Sequence, residues 1–299
     1  LPCISSIKLK DSYRAHPKIL ELYNTLFYNG QLRACAEDSE KHTHMFIGWK
    51  HLINPQFPSM FLNVPFGREM REPDSPSWFN SDEVKVLIEE IDKILESNFT
   101  ITNENNQQQQ YKVEPKDIGI ITPYRKQVDK IRKTLHYHAT TKYNNAKFFA
   151  ETMVGTTEEF QGQERPIIFI STVRSQEESL EYDLKFKLGF VQSPKRLNVA
   201  ISRAISLLVI IGNAQVLALD DKWRELLRFY QKNNSFGHRG LGTAQQAVPL
   251  PILSDIIKTA EYKAQRTKQK KINKKQTPDE TFGNDEYADE NGNWKRMED

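Results

Sequence analysis

The sequence predicts an α/β protein built on a parallel sheet with helices on both faces, and three observations carry that expectation. Four short apolar runs, Met60-Phe61-Leu62-Asn63-Val64, Asp117-Ile118-Gly119-Ile120-Ile121-Thr122, Ile167-Ile168-Phe169-Ile170-Ser171-Thr172 and Leu207-Leu208-Val209-Ile210-Ile211-Gly212, have the near-continuous hydrophobicity of strands buried on both sides. Amphipathic helical segments alternate with strands between 60 and 231, as crossover connections require. Polar segments follow at the strands' carboxyl ends, where such sheets bind ligands: Thr122-Pro123-Tyr124, 155–164 and Gly212-Asn213.

In chain order, 1–10 reads as an incoming strand and connection. Asp11-Ser12-Tyr13-Arg14-Ala15-His16-Pro17 is a polar turn opening a helix, with Pro17 near its start. Ile19, Leu20, Tyr23 and Phe27 form its apolar stripe, and Asn29-Gly30 ends it. Residues 31–58 read as irregular, with an apolar patch at 46–49, and 67–78 as loop. Asn80 or Ser81 caps a helix to about 96 that buries Val84, Leu87, Ile88, Ile91 and Leu95. Residues 98–112 hold a Gln-rich tract, expected to be a disordered insertion.

Thr122 is a candidate cap for a helix running to about 136, with Val128, Ile131 and Leu135 inward. Thr152-Met153-Val154 is a short strand, and 189–191 a minor strand or turn. Ser193 and Pro194 open a helix to Ala204 whose stripe is Leu197, Ala200, Ile201 and Ala204; Arg196 and Arg203 fall along one edge of it. Another helix spans about 221–231. The expected domain ends at 240. Residues 241–299 read as a disordered tail with at most one short helix near 252–263: 263–275 holds seven Lys or Arg and no acid, and 279–299 eight acids against two bases. The basic run suits RNA contact or a localisation signal as well as a plain solvated tail.

The 299 residues are 27% charged with a net charge of only +3, so any basic binding surface must be local. Two cysteines, Cys3 and Cys35, have neither metal-ligand spacing nor a disulfide framework, which suits a reducing compartment. No apolar run approaches the ~18 residues of a membrane span, and no signal peptide is legible. Leu1 in place of a methionine raises the expectation of a piece of something longer. The sequence has no Gly-Lys dipeptide, hence no phosphate loop of the Gly-x-x-x-x-Gly-Lys-Ser/Thr kind, and no Asp-Glu pair ahead of Tyr13 to hold a metal.

Four motifs, in order, resemble the second motor domain of superfamily 1 helicases: Tyr13-Arg14-Ala15-His16-Pro17, Ile121-Thr122-Pro123-Tyr124-Arg125-Lys126-Gln127, Glu158-Glu159-Phe160-Gln161-Gly162-Gln163-Glu164 and Asn198-Val199-Ala200-Ile201-Ser202-Arg203-Ala204. The resemblance spans about 11–233. Ser75-Pro76-Ser77-Trp78-Phe79-Asn80 and Ile170-Ser171-Thr172-Val173-Arg174-Ser175 extend it to the RNA-directed group that includes the nonsense-mediated-decay helicase, and to the branch of Armitage and its vertebrate relatives.

That resemblance implies a RecA-like fold and assigns roles. Arg203 is the arginine finger and Arg14 a second arginine on the same phosphate; phosphoryl transfer needs charge stabilisation, which a fixed guanidinium supplies. Tyr13 stacks on adenine, Gly162 lets backbone approach the nucleotide, Glu164 lies near ribose and phosphates, and Gln161 couples the pocket to RNA. Glu164 has the alternative of a surface residue beside Arg165, Phe160 reads as core, and His16 as a structural helix-start residue. Thr122, Pro123, Tyr124 and Thr156 or Thr157 fit sequence-blind contacts to RNA phosphates, with plain capping as the alternative for the threonines. Arg196 either faces phosphate or forms a helix–loop salt bridge. ATP and Mg²⁺ would be held mainly by an upstream motor domain. The implied partners are single-stranded RNA, that upstream domain and Argonaute/Piwi-pathway proteins in small-RNA silencing, at a cytoplasmic location that includes ribonucleoprotein granules. The alternative function is a catalytically inactive RNA-binding or scaffold module.

Overall fold

The computed structural model describes residues 9–36, 42–102, 108–179, 189–191, 193–240, 250–276, 286–288 and 294–296. In chain order the principal elements are α1 (Pro17–Phe27), β1 (Ser59–Asn63), α2 (Ser81–Leu95), β2 (Ile118–Ile121), α3 (Arg125–Tyr143), β3 (Met153–Gly155), β4 (Arg165–Ser171), α4 (Pro194–Ile201), β5 (Ala204–Gly212), α5 (Ala214–Leu217), α6 (Asp221–Lys232), β6 (Phe236–His238) and α7 (Leu253–Gln276). The six strands form one sheet in the order β6-β1-β5-β4-β2-β3, and every pairing in it is parallel. Phe169 in the central β4 sits opposite Val209 of β5 and Ile120 of β2.

Alternate residues of these strands feed two apolar layers, as strand geometry dictates. Met60, Ile120, Phe169 and Val209 join Val84, Leu87 and Ile91 of α2 and Val128, Ile131 and Leu135 of α3 in one buried cluster. On the other face α1 packs against β5 and α6, and the buried Phe61 ring lies 5.9 Å from that of Tyr230. Gly119 is required between these layers, because a Cβ there would come within 2.7 Å of Ile168 Cδ1 and 2.9 Å of the buried Phe160 ring. Phe160 is therefore core. The chain divides into two compact units, Leu1–Ile257 and Lys258–Asp299.

Several expectations need correction. The loop at 67–78 contains a hairpin, Glu69–Arg71 paired antiparallel with Trp78–Asn80. The Gln-rich tract is also a hairpin, Phe99–Thr102 against Gln108–Tyr111, anchored by the buried Phe99 and Ile101; 103–107 lie outside the described residues. Helix α3 is capped by Tyr124 rather than Thr122 and runs on to Tyr143, where Asn144 takes a left-handed conformation (φ 48°). Helix α4 stops at Ile201. Ala204 begins β5, so Arg203 stands on the intervening turn and not on the helix edge it was expected to share with Arg196. Within the expected disordered tail, α7 spans 24 residues and takes in the basic run, while Glu286–Ala288 pairs with Trp294–Arg296. Of the incoming strand and connection expected at 1–10, residues 1–8 lie outside the described residues, as do 241–249, 277–285, 289–293 and 297–299 of the tail.

Candidate functional site

The amino ends of β4 and β5 carry the densest group of expected site residues. Glu164 immediately precedes β4 and Arg203 immediately precedes β5, and Arg165 N–H donates to the Arg203 carbonyl at 3.2 Å. Tyr13 and Arg14 are brought there from the start of the chain by two anchors. Asp11–Ser12 pairs with Arg33–Ala34, and His16 N–H donates to the Ile205 carbonyl at 2.8 Å. His16 itself caps α1, its Nδ1 accepting from Lys18 N–H at 3.1 Å; burial, with His44 and Lys18 nearby, holds its pKa down at about 3. A neutral imidazole used as a helix cap confirms the structural reading of His16.

Tyr13, Arg14, Tyr23, Tyr28, Glu164 and Arg203 line a cavity of about 500 Å³. Arg14 forms an ion pair with Glu164, and its Nη1 donates to the Ser202 carbonyl at 3.3 Å. Arg203 is held on three sides: Nε donates to Val199 O at 3.1 Å, Nη1 to Gln163 O at 3.3 Å and Nη2 to Ser202 Oγ at 3.0 Å. Burial, and then the charge of Arg14, lower the Arg203 pKa, yet a guanidinium remains charged at neutral pH. Of the two carboxylates that line the cavity, Asp11 is paired with Arg33, so Arg14 and Arg203 face Glu164 alone and leave a surplus positive charge suited to an oxyanion. Tyr13, 60% exposed, offers an open aromatic face at the rim. This cavity opens at the amino edge of the strands, opposite to the carboxyl edge expected of an open parallel sheet.

Gln161 and Gly162 do not line the cavity. They sit exposed on the turn leading to Glu164. Gly162 has φ +78° with open space where a Cβ would project, so the backbone conformation, rather than close approach of a neighbour, demands glycine. The other expected residues gather at the carboxyl ends of β2 and β3. Thr122 and Thr157 are buried, with hydroxyls that find no hydrogen-bond partner among the described residues. Thr156 and Pro123 are half-buried; Thr156 N–H donates to Glu159 Oε2 at 2.7 Å, and Glu159 also accepts from Arg125 at 2.7 Å. The Tyr124 ring is buried, with the Arg174 guanidinium 4.9 Å from its centroid. Arg196 pairs with Glu158 at 2.7 Å, the helix–loop salt bridge of the two readings. Among the described residues no three His, Cys, Asp or Glu side chains cluster to hold a metal ion.

The sequence did not disclose a buried polar junction beside the carboxyl end of β4. Gln127 accepts from Asn80 N–H at 2.8 Å and donates to Ser171 Oγ at 2.8 Å; Ser171 donates to Glu83 Oε2 at 2.6 Å. Burial pushes the Glu83 carboxyl up to about 8, against the opposing pull of hydrogen bonds from Ser171 and the Val173 N–H. Val173 has φ +72°, and Arg174 N–H closes back on Thr172 O at 2.9 Å, making the rare strained form of γ-turn on a β-branched residue. Such a conformation costs on the order of 1–3 kcal/mol and persists only where its surroundings over-determine it. Glu83 reads in sequence as an ordinary first-turn acid, and nothing in its spacing marks it as buried.

Comparison with known proteins identifies the family. A family model described as an AAA domain matches residues 3–215. The chain is 41% identical to the putative helicase mov-10-B.1 of Danio rerio over 222 residues, 74% of this chain and 21% of the relative. It is 37% identical to the probable RNA helicase armi of Drosophila melanogaster over 77% of this chain and 18% of the relative, and 39% identical to the RNA helicase Mov10l1 of Mus musculus over 77% and 17%. The chain thus spans about a fifth of the length of these relatives. With its motifs in order on a RecA-like parallel sheet, the chain belongs to the AAA-domain family of Upf1-like superfamily 1 RNA helicases, in the branch of Mov10 and Armitage.

Proposed function

We propose that this chain supplies the C-terminal motor half of an ATP-dependent RNA helicase, and that the whole protein acts in small-RNA silencing in the cytoplasm, including ribonucleoprotein granules. The convergence of Tyr13, Arg14, Glu164 and Arg203 on one cavity carries the reading, because their contacts come from segments up to 188 residues apart. The cavity fits one side of a nucleoside triphosphate. Its surplus positive charge suits the terminal phosphates, and Tyr13 offers a stacking face for the base. Arg203, tied to three oxygens, is already oriented and loses little freedom on meeting a phosphate. Glu164 holds Arg14 meanwhile and would yield it to the more highly charged ligand.

Magnesium, when bound, neutralises charge on the triphosphate; its ligands and the phosphate loop would come from an upstream motor domain. Thr122, Pro123, Tyr124 and Thr156 or Thr157 would meet the RNA backbone at the other rim of the sheet, with Gln161 and Gly162 on the segment between the two rims. Argonaute/Piwi-pathway proteins are the partners this reading implies.

The test is Arg203→Ala in the full-length protein. RNA-stimulated ATP hydrolysis should fall by about 10³-fold, the scale of an arginine finger, with RNA affinity within about twofold of wild type. Ordinary turnover in the variant removes Arg203 from the site. RNA binding with no hydrolysis even in the wild type would favour the scaffold alternative.

A further inference from the structure

We propose that Arg174 is a positioning residue for the RNA-facing turn 122–124. The inference rests on the RNA helicase reading above and goes beyond it by naming what fixes that turn. Arg174 is 1% exposed and its ion-pair partner Glu69 5%. Arg174 Nη1 donates to Glu69 Oε1 at 3.1 Å, while the guanidinium lies 4.6 Å from the Trp78 ring centroid and 4.9 Å from that of Tyr124. A buried ion pair is weak evidence of stabilisation, since desolvation offsets most of its attraction. Its placement here is informative for another reason. One planar cation sits against rings from two separate elements, the hairpin strand Trp78–Asn80 and the residue that caps α3. Arginine suits such a place, because its flat face stacks while its edge donates.

The surroundings hold this arrangement from every side. Glu69 also accepts from Ser175 N–H at 2.6 Å and from the Ser179 hydroxyl. Asn80 Nδ2 donates to Val173 O at 3.1 Å, and Val173 N–H donates to Glu83 Oε2 at 3.0 Å. Ser77 Oγ accepts from Lys126 N–H at 3.1 Å, so the hairpin also grips the first turn of α3. The strained γ-turn at Val173 is what delivers Arg174 between the two rings. Thr122, Thr157 and Thr172 stand at the carboxyl ends of three adjacent strands, each with a buried hydroxyl that finds no partner among the described residues. Unpaired buried hydroxyls are costly, so three of them along one rim mark a stretch whose shape the surrounding contacts must hold. Tyr124 follows Thr122 and Pro123 directly, so clamping its ring fixes the turn that carries the first of these hydroxyls.

The experiment compares the full-length protein with Arg174→Met, Arg174→Lys and the double variant Glu69→Gln/Arg174→Met. Thermal midpoints are measured alongside ATP hydrolysis stimulated by single-stranded oligouridine. The oligouridine concentration for half-maximal stimulation should rise about tenfold in Arg174→Met, with turnover at saturating RNA and KM for ATP within about twofold of wild type. The double variant removes the stranded carboxylate and should regain the midpoint lost by Arg174→Met, because neutral replacements of a buried pair are tolerated, while keeping the raised RNA requirement. Arg174→Lys keeps the charge beside Glu69 but loses the planar face, and should share that raised requirement. A double variant that recovers its RNA requirement together with its midpoint, or a lysine variant indistinguishable from wild type, overturns the positioning role. A wild-type protein whose hydrolysis ignores RNA fails the helicase reading itself and takes this inference with it.

Discussion

Glu83 has a carboxyl group that water does not reach, and its protonation sets a pH dependence that can be worked out in advance. Burial raises its folded pKa to about 8, from 4.5 for a free carboxyl of this kind. Between those values the folded state holds a proton the unfolded chain has released, so stability falls as pH rises through that window. Glu83→Gln keeps the acceptor shape without the ionisation. It should flatten the decline, with a thermal midpoint several degrees above wild type at pH 9 and little difference at pH 5, followed by circular dichroism. Parallel curves for the two proteins would mean that Glu83 does not titrate with folding. His16 works in the opposite direction. Its pKa is lowered to about 3 from 6.5, so the stability tied to its neutral form is present above 6.5 and lost as pH falls toward 3. His16→Asn retains a cap without the titration and should remove part of the acid limb of the same profile. Neither residue advertises burial by its spacing. Arg14 and Arg203 were found through motif order, and a periodic stripe would have put Arg203 on the wrong element.

The helices and strands divide clearly into those the sequence discloses and those it does not. The strands β1, β2, β4 and β5 are legible because burial on both faces leaves no room for polar residues in their centres. The paired segments at 69–80 and 99–111 have only three or four residues per strand, too few for alternation to stand out. The second half of α3 is polar around most of its circumference, with Ala139 its buried contact, so its apolar stripe fades after Leu135 while the helix continues. Helix α2 offers a test of what a cap contributes when it also belongs to the polar junction. Asn80 accepts from Asp82 and Glu83 N–H and at the same time donates to Val173 O and Ser175 Oγ. Asp220 at the start of α6 is also a cap, accepting from Lys222 and Trp223 N–H. Asp220→Ala should cost about 1 kcal/mol in urea unfolding and Asn80→Ala about twice that or more, since it also strands buried partners. Equal losses would reduce Asn80 to an ordinary cap.

At the scale of the molecule, the sheet separates two chemistries. The arginine cavity lies beyond the amino ends of β4 and β5, while the threonines and Tyr124 lie beyond the carboxyl ends of β2 and β3. Motif order hinted at both groups but could not place them on opposite rims, because the segment 156–164 that joins them crosses the depth of the sheet in a way no local pattern records. The Arg174–Glu69 pair is separated by 105 residues and is invisible to any local window. Were the carboxyl rim to hold RNA through phosphates, affinity would fall steeply with added salt and hardly depend on base sequence. Titrations with oligouridine and with mixed-sequence RNA between 50 and 200 mM salt, the range over which such binding typically weakens, should give closely similar slopes, and a marked preference for one sequence would contradict backbone contact. The parallel strands between the rims have a mechanical consequence. Ile168, Phe169, Val209 and Ile210 are wholly buried in strands paired on both sides, so they form a stiff strut. Their amides should exchange with solvent only on global opening. A sheet this stiff would pass a displacement at one rim to the other as a rigid body, as a lever does rather than a spring.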